Sequence, residues 1–148
     1  MKRLHYIPLL LALMLSTPFS VVAENSTTVG DFTVHYNAFT ASTLTPGVAK
    51  AYGIQRSKYW GLLNVSVIRE KVGTTGTPVP ARVQVKTRTL TGQDVPLAMR
   101  EIKEQGAVYY IGEFPTRNQE KVDFVIEVTP EGTSEPFIVK MEQQFFTD

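Results

Sequence analysis

The feature that most constrains the fold is an alternation of apolar and polar side chains along residues 60–71, WGLLNVSVIREK. Leu63, Val65 and Val67 share one parity, whereas Asn64 and Ser66 share the other. Successive side chains of a strand point to opposite faces, and branched apolar residues suit a half-buried pleated surface. The pattern therefore predicts a central strand of an antiparallel sheet, with one face in a core.

The same two-residue period recurs in six further segments that are separated by stretches containing glycine or proline. The parity slips at Ile102, which we attribute to a bulge near Arg100. Residues 107–114 are apolar on both faces, and Gly112 there indicates a bulge or a close backbone approach. Seven strands without a long amphipathic helix predict an all-β fold, a two-layer antiparallel β-sandwich of immunoglobulin-like or fibronectin-III-like architecture; a small β-barrel is the alternative. The other six strand segments are residues 31–39, 79–90, 95–103, 107–114, 122–128 and 137–146.

Two stretches fall outside this pattern: residues 24–29 are polar and predict a loose lead-in, and residues 41–58 are neither strand-like nor plainly a linker. Thr45 is suited to cap a short helical turn over residues 46–52, with Pro46 at its first position. The second stretch is either a crossover that covers the core edge or a loop that presents side chains to a partner. The candidate partner-binding residues of this loop are Tyr52, Arg56, Lys58, Tyr59 and Trp60.

The first 23 residues have the composition of a secretory signal peptide. Lys2 and Arg3 precede an apolar stretch over residues 7–15, and Ala23 ends a segment with small residues at the cleavage positions. Because the apolar stretch is shorter than the ~20 residues of a membrane span, we predict cleavage after Ala23. The remaining residues, 24–148, are expected to form one periplasmic domain without stable membrane insertion.

Charge and composition exclude several classes of function. Without residues 1–23, thirteen basic residues stand against fourteen acidic ones, a net charge of −1 that gives no support for nucleic-acid binding. The chain has no cysteine, so it lacks disulfides, thiol nucleophiles and cysteine metal ligands. His35 is the only histidine after residue 23, which makes histidine catalysis and a histidine metal site unexpected. We therefore expect no catalytic residues, no metal and no cofactor.

Two sets of charged strand residues provide alternatives. Arg82, Lys86 and Arg88 form the densest basic face, which fits either an anionic partner such as lipid headgroups or polysaccharide, or a solvated face that discourages edge pairing. Paired carboxylates of the kind used in glycoside hydrolysis would require two acidic side chains in a cleft. The candidate pairs are Glu101 with Glu104 and Asp123 with Glu127.

Four segments in order carry a resemblance: VHYNAF at 34–39, TPGVAKAYGIQRSK at 45–58, GLLNVSVIRE at 61–70 and YYIGEFP at 109–115. Together they resemble a family of small secreted proteins of Gram-negative bacteria known as domain of unknown function 4426. The resemblance implies a periplasmic, mostly-β domain and carries no activity and no catalytic residues. The Tyr59-Trp60 pair departs from the family pattern, in which smaller or polar residues are expected.

Three hypotheses about function follow. The first is a non-enzymatic periplasmic domain that binds or scaffolds an unknown envelope protein or polymer, with the loop at residues 45–60 as its contact surface. The second is a small hydrolase or transferase that uses surface carboxylates. The third is a carrier of a small apolar ligand, suggested by the two-sided apolar strand at residues 107–114.

Overall fold

The structure, a computed structural model, describes residues 25–88 and 91–147. Within these residues the chain forms ten strands, together with a 3-10 turn at Ala41–Thr43 and a short helix, α1, at Pro46–Ala51. The strands are β1 Asn25–Val29, β2 Phe32–Thr40, β3 Trp60–Arg69, β4 Thr77–Pro78, β5 Ala81–Arg88, β6 Asp94–Leu97, β7 Met99–Glu104, β8 Ala107–Pro115, β9 Lys121–Pro130 and β10 Phe137–Gln144.

The strands form two antiparallel sheets. The first sheet has the order β1-β2-β3-β8-β7, with β4 paired to β3, and the second has the order β10-β9-β5-β6. Strand β3 lies between β2 and β8, so the predicted central strand is confirmed. The all-β, two-layer antiparallel sandwich is also confirmed, and the described strands form no closed barrel. The immunoglobulin-like connectivity stays a prediction.

The core between the sheets is built from the inward parity of each strand. Val34, Val65 and Val67 of the first sheet are fully buried, as are Ile126 and Val128 of the second. Burial of one such side chain contributes roughly 1.5–3 kcal/mol. Aromatic rings fill one end of the core, where the Phe114 ring meets those of Phe124 and Phe145 edge-on, at centroid distances of 5.2 and 5.4 Å.

Two strand predictions were wrong. Residues 25–29 form β1, which pairs with β2 along its whole length, instead of a loose lead-in. Residues 95–103 form two strands in different sheets, because β6 pairs with β5 in the second sheet and β7 pairs with β8 in the first. The chain crosses between the sheets at Ala98, so the parity slip marks a change of sheet and not a bulge near Arg100.

The glycine in β8 permits a close approach of side chains. Gly112 pairs with Leu63 on one side and with Met99 on the other in an unbroken register, so the strand has no bulge at this position. A Cβ atom on Gly112 would lie 2.5 Å from Met99 Sδ and 2.9 Å from Leu97 Cδ2. The structure therefore supports the close-approach interpretation.

One hydroxyl group joins the two sheets. The phenol oxygen of Tyr110 in β8 accepts a hydrogen bond from the Ala81 N–H at the start of β5, with a donor–acceptor distance of 2.7 Å. The same hydroxyl donates to Glu101 Oε2 of β7 at 2.9 Å. Burial raises the pKa of Tyr110 above its usual value, and the hydrogen bond to Glu101 acts in the same direction.

The predicted signal peptide and its cleavage after Ala23 lie outside the described residues. Across residues 25–88 and 91–147, no helix has the length and apolar character that a membrane crossing requires.

Candidate functional site

Residues 41–58 join β2 to β3, which are paired neighbours in one sheet, so the predicted crossover between the layers is wrong and the connection is a long hairpin loop. This loop, here called the crossover segment after its predicted role, packs against the outward face of the first sheet. Ala41 and Ile54 of this segment are buried against Leu62 of β3, and Ile111 of β8 packs against them. This second apolar cluster is separate from the core between the sheets. It explains why β8 is apolar on both faces: one face meets the second sheet and the other meets the crossover segment.

The local sequence determines how the crossover segment folds. The Thr45 hydroxyl accepts a hydrogen bond from the Val48 N–H at 3.4 Å, and Pro46 occupies the first helical turn. The helix ends where Gly53 takes a positive φ of 63°, a conformation that glycine adopts at little cost. The predicted helical turn is therefore confirmed, with Tyr52 as its C-terminal cap residue.

A cleft of about 220 Å³ lies between the crossover segment and strands β3, β8 and β7. We call it the outer-face cleft. Asn64 is the one residue of its lining that is neither apolar nor aromatic. The roof consists of Leu44, Val48, Tyr52 and Ile54, and the floor of Phe39, Leu62, Asn64, Ile102, Tyr109 and Ile111.

Polar contacts at the mouth of the cleft hold the crossover segment to β7. The Tyr52 hydroxyl donates a hydrogen bond to Glu104 Oε2, and this bond is the main cause of the raised pKa of Tyr52. The Arg100 guanidinium donates to the backbone oxygen of Tyr52 at 2.5 Å and lies 3.9 Å from Glu113 Oε2. Tyr52 thus joins helix α1 to the edge strand through both its side chain and its backbone.

Asn64, a residue of the cleft floor, has a side-chain oxygen without a hydrogen-bond partner. Its Oδ1 atom is buried and makes no hydrogen bond. In the sheet register Asn64 lies beside Asn37, and Ser66 lies beside His35. All four residues are partly buried, and their parity places them on the outward face. We call these four residues the polar stripe: His35, Asn37, Asn64 and Ser66.

Of the predicted partner-binding residues, Tyr52 alone lines the outer-face cleft. The Arg56 guanidinium donates to the Ser42 backbone oxygen at 3.1 Å and so stabilises the crossover segment from within. The Lys58 ammonium lies 5.4 Å from the centroid of the Tyr59 ring. Tyr59 and Trp60 expose 57% and 43% of their surface, next to each other where β3 begins.

The predicted basic face lies on the outward side of the second sheet, where Arg82, Lys86 and Arg88 are exposed. Arg88 Nε lies 2.7 Å from Asp94 Oδ1, and this hydrogen bond lowers the pKa of Asp94. Asp123 of β9 lies beside Arg88 in the register. The face is therefore of mixed charge, which weakens the case for an anionic partner there.

The candidate carboxylate pairs do not come together in the outer-face cleft. Glu101 and Glu104 lie three positions apart in β7 and so point to opposite faces. Hydrogen bonds from Lys103 and Tyr110 lower the pKa of Glu101, the opposite of what a general acid requires. Asp123 and Glu127 lie four positions apart in β9 and share the outward face of the second sheet. Among residues 25–88 and 91–147, no three or more His, Cys, Asp or Glu side chains are grouped to hold a metal ion.

Sequence reasoning missed most of the cleft lining. The parity of Asn64 predicts its outward face, and the two-sided apolar strand at residues 107–114 suggests a small apolar ligand without indicating where it would bind. Ile102, where the alternation slips, lies on the outward face beside Tyr109 and lines the cleft. The missing information was that the crossover segment covers this particular face.

Comparison with known proteins gives one family and a common fold. Residues 26–148 match the family model described as Domain of unknown function (DUF4426). A crystal structure of a DUF4426 family protein from Pseudomonas aeruginosa is 36% identical, with a TM-score of 0.71 over 84% of this chain and 96% of that chain. No curated protein matches the chain significantly.

A more distant likeness concerns FetP of uropathogenic Escherichia coli, expressed recombinantly in the periplasm of E. coli. It is 11% identical, with a TM-score of 0.59 over 84% of this chain and 94% of that chain. A copper-bound variant of FetP is 12% identical, with a TM-score of 0.59 over 83% of this chain and 95% of that chain. At this identity, the likeness concerns the fold alone.

Proposed function

The chain belongs to the DUF4426 family, and from that premise we propose that it is a periplasmic, non-enzymatic binding domain whose binding site is the outer-face cleft. The observation that carries the proposal is the cleft itself, an apolar cavity of about 220 Å³ with a single amide in its lining. Small-molecule sites are usually concave and mostly apolar, with a few polar groups that orient the ligand.

Exposed apolar surface at the cleft favours binding over simple packing. Val48 in the roof is 40% exposed and Tyr109 in the floor is 36% exposed. A crossover that only covered the sheet would gain stability by closing over both side chains. A ligand that occupies the cleft buries them instead.

The periplasmic location is supported by the composition of residues 1–23, a basic start followed by an apolar stretch and small residues. The bound copper is a property of the FetP variant, and we do not propose it for this chain. Among the described residues, no three or more His, Cys, Asp or Glu side chains lie close enough together to hold a metal ion.

The proposal is tested by thermal unfolding in the presence of indole, a small ring compound. Because a ligand that binds only the folded state stabilises it, we expect the midpoint of the wild-type protein to rise with indole concentration. Val48→Trp places a large side chain in the roof and is expected to abolish the rise. Val72→Trp is the matched control, since Val72 is fully exposed in a loop away from the cleft.

Two results would contradict the proposal: no rise for the wild type, or an equal rise for the wild type and both variants. The second result would place indole binding outside the cleft.

A second candidate function is contact with an envelope polymer through the exposed Tyr59–Trp60 pair. Adjacent exposed aromatic rings are enriched at recognition surfaces. Trp60 is the only tryptophan of the chain, so its fluorescence reports on this surface directly. A change in emission on addition of purified peptidoglycan, reduced in Tyr59→Ser, would support this candidate, and unchanged emission would remove it.

A further inference from the structure

We infer that the outer-face cleft takes a small neutral molecule with an apolar ring system and a hydrogen-bond donor, and that Asn64 selects for the donor. This inference rests on the proposed function of the cleft and adds the chemical class of its ligand.

The volume of the cleft limits the size of the ligand. A dry apolar cavity of about 150 Å³ is large enough to bind benzene. The outer-face cleft, at about 220 Å³, therefore accommodates one or two fused rings and not a long acyl chain. Its aliphatic and aromatic lining suits a ring better than a polar group.

The charges around the cleft indicate that the ligand is neutral. None of the lining residues is a Lys, Arg, Asp or Glu. Two charged groups at the mouth already have partners, since Glu104 accepts a hydrogen bond from Tyr52 and Arg100 donates one to the Tyr52 backbone oxygen. An ion that entered the cleft would lose its hydration without a counter-charge, which is costly.

The unpaired oxygen of Asn64 determines the polar part of the ligand. The Oδ1 atom of Asn64 is buried without a hydrogen-bond partner, an unfavourable arrangement that a ligand donor would relieve. The terminal amide torsion of asparagine has a broad energy profile, so the oxygen can turn towards a ligand in the cleft. A ligand N–H or O–H would satisfy the oxygen, whereas the apolar lining would hold the ring.

The polar stripe indicates how the ligand is oriented in the cleft. Asn64 lies at the junction of the two surfaces, because it lines the cleft and also pairs with Asn37 of the stripe. A ligand oriented with its donor towards β2 and its ring towards β8 would match both surfaces. Asn64 is therefore expected to orient the ligand and to discriminate between analogues.

The experiment compares two probes of nearly equal shape by calorimetric titration: indole, which has an N–H donor, and benzothiophene, which has none. In Asn64→Leu the side chain keeps its branched shape and loses the acceptor. We expect the affinity ratio of indole to benzothiophene to fall by about tenfold from the wild type to Asn64→Leu, since a polar site rejects an analogue that lacks its partner. Asn64→Ala, which adds no bulk, is expected to give the same fall.

The matched control is Thr129→Val, which removes another buried unpaired oxygen, at a position outside the cleft. It is expected to leave the affinity ratio unchanged. In the absence of ligand, Asn64→Leu and Thr129→Val should both raise the unfolding midpoint, because each removes an unsatisfied polar atom. A midpoint that falls in Asn64→Leu would assign Asn64 a structural role and count against a ligand-selecting one.

The outcomes separate the two proposals. If the wild type binds neither probe, the proposed function of the cleft fails. If the wild type binds both probes and the ratio is the same in Asn64→Leu and Asn64→Ala, the cleft remains a binding site and the inference about Asn64 is overturned.

Discussion

At the scale of single residues, Tyr110 has the clearest structural role, since its hydroxyl bonds to strands of both sheets. Tyr110→Phe leaves the Ala81 N–H and Glu101 without this partner. We expect a loss of about 1–2 kcal/mol in the free energy of unfolding, measured by urea denaturation. Tyr36→Phe is the control, because the Tyr36 hydroxyl forms a hydrogen bond with Thr27 within one sheet. We expect this substitution to lower the free energy of unfolding by less than Tyr110→Phe does.

Because of the same hydroxyl, the stability of the protein should depend on pH in the alkaline range. The pKa of Tyr110 is raised above 10.0 in the folded state, so the folded chain keeps a proton that the unfolded chain releases. The stabilisation is therefore complete below pH 10 and is lost as the pH rises through the raised pKa. Denaturation curves above pH 10 should decline more steeply for the wild type than for Tyr110→Phe, and parallel curves would contradict this account.

Substitution by alanine should change the free energy of unfolding in opposite directions at two glycines. Gly112→Ala forces a Cβ atom against Met99 and Leu97 and is expected to cost about 1–3 kcal/mol in the free energy of unfolding. Gly47→Ala, in the first turn of α1 with no atom within 4 Å of the new Cβ, should gain about 0.5 kcal/mol. Similar changes at both positions would contradict the packing around Gly112.

At the scale of secondary-structure elements, the crossover segment is held to the first sheet by a small apolar cluster and by the polar contacts of Tyr52. Its apolar cluster has three buried members, so we expect it to open without unfolding of the sandwich. Tyr52→Phe removes the hydrogen bond to Glu104 and should speed hydrogen exchange of the amides in α1, with no change in β9. The same substitution at the exposed Tyr59 is the control, and equal effects of both variants would contradict the role of Tyr52.

The secondary-structure elements differ in how well the sequence predicts them, and the reasons are physical. Helix α1 was predictable because Thr45, Pro46 and Gly53 act locally, on their own backbone. Strand β1 was missed because it is short and polar, and it is defined by its pairing with β2. Strands β6 and β7 were merged because a two-residue period cannot show that the chain changes sheet at Ala98.

At the scale of the whole molecule, the two outward faces differ. The outward face of the second sheet is charged and open, as the alternation in β9 predicted, whereas that of the first sheet is partly covered by the crossover segment. The sandwich was therefore predictable from periodicity, but the outer-face cleft was not. Its position depends on contacts between Tyr52 and Glu104, which lie 52 residues apart.

This asymmetry assigns different roles to the two faces. The core between the sheets stabilises a chain without cysteine, whereas the partly covered outward face of the first sheet contains a cavity. We expect a small ring compound to bind in that cavity.

The most direct measurement is a titration of the isotopically labelled protein with indole, followed by the amide resonances of the whole chain in NMR spectra. We expect saturable shifts at Leu62, Asn64 and Ile111 in the cleft, and none at Lys86 and Val125 on the outward face of the second sheet. The absence of saturable shifts, or shifts centred on the second sheet, would contradict the claim that the outer-face cleft is the binding site.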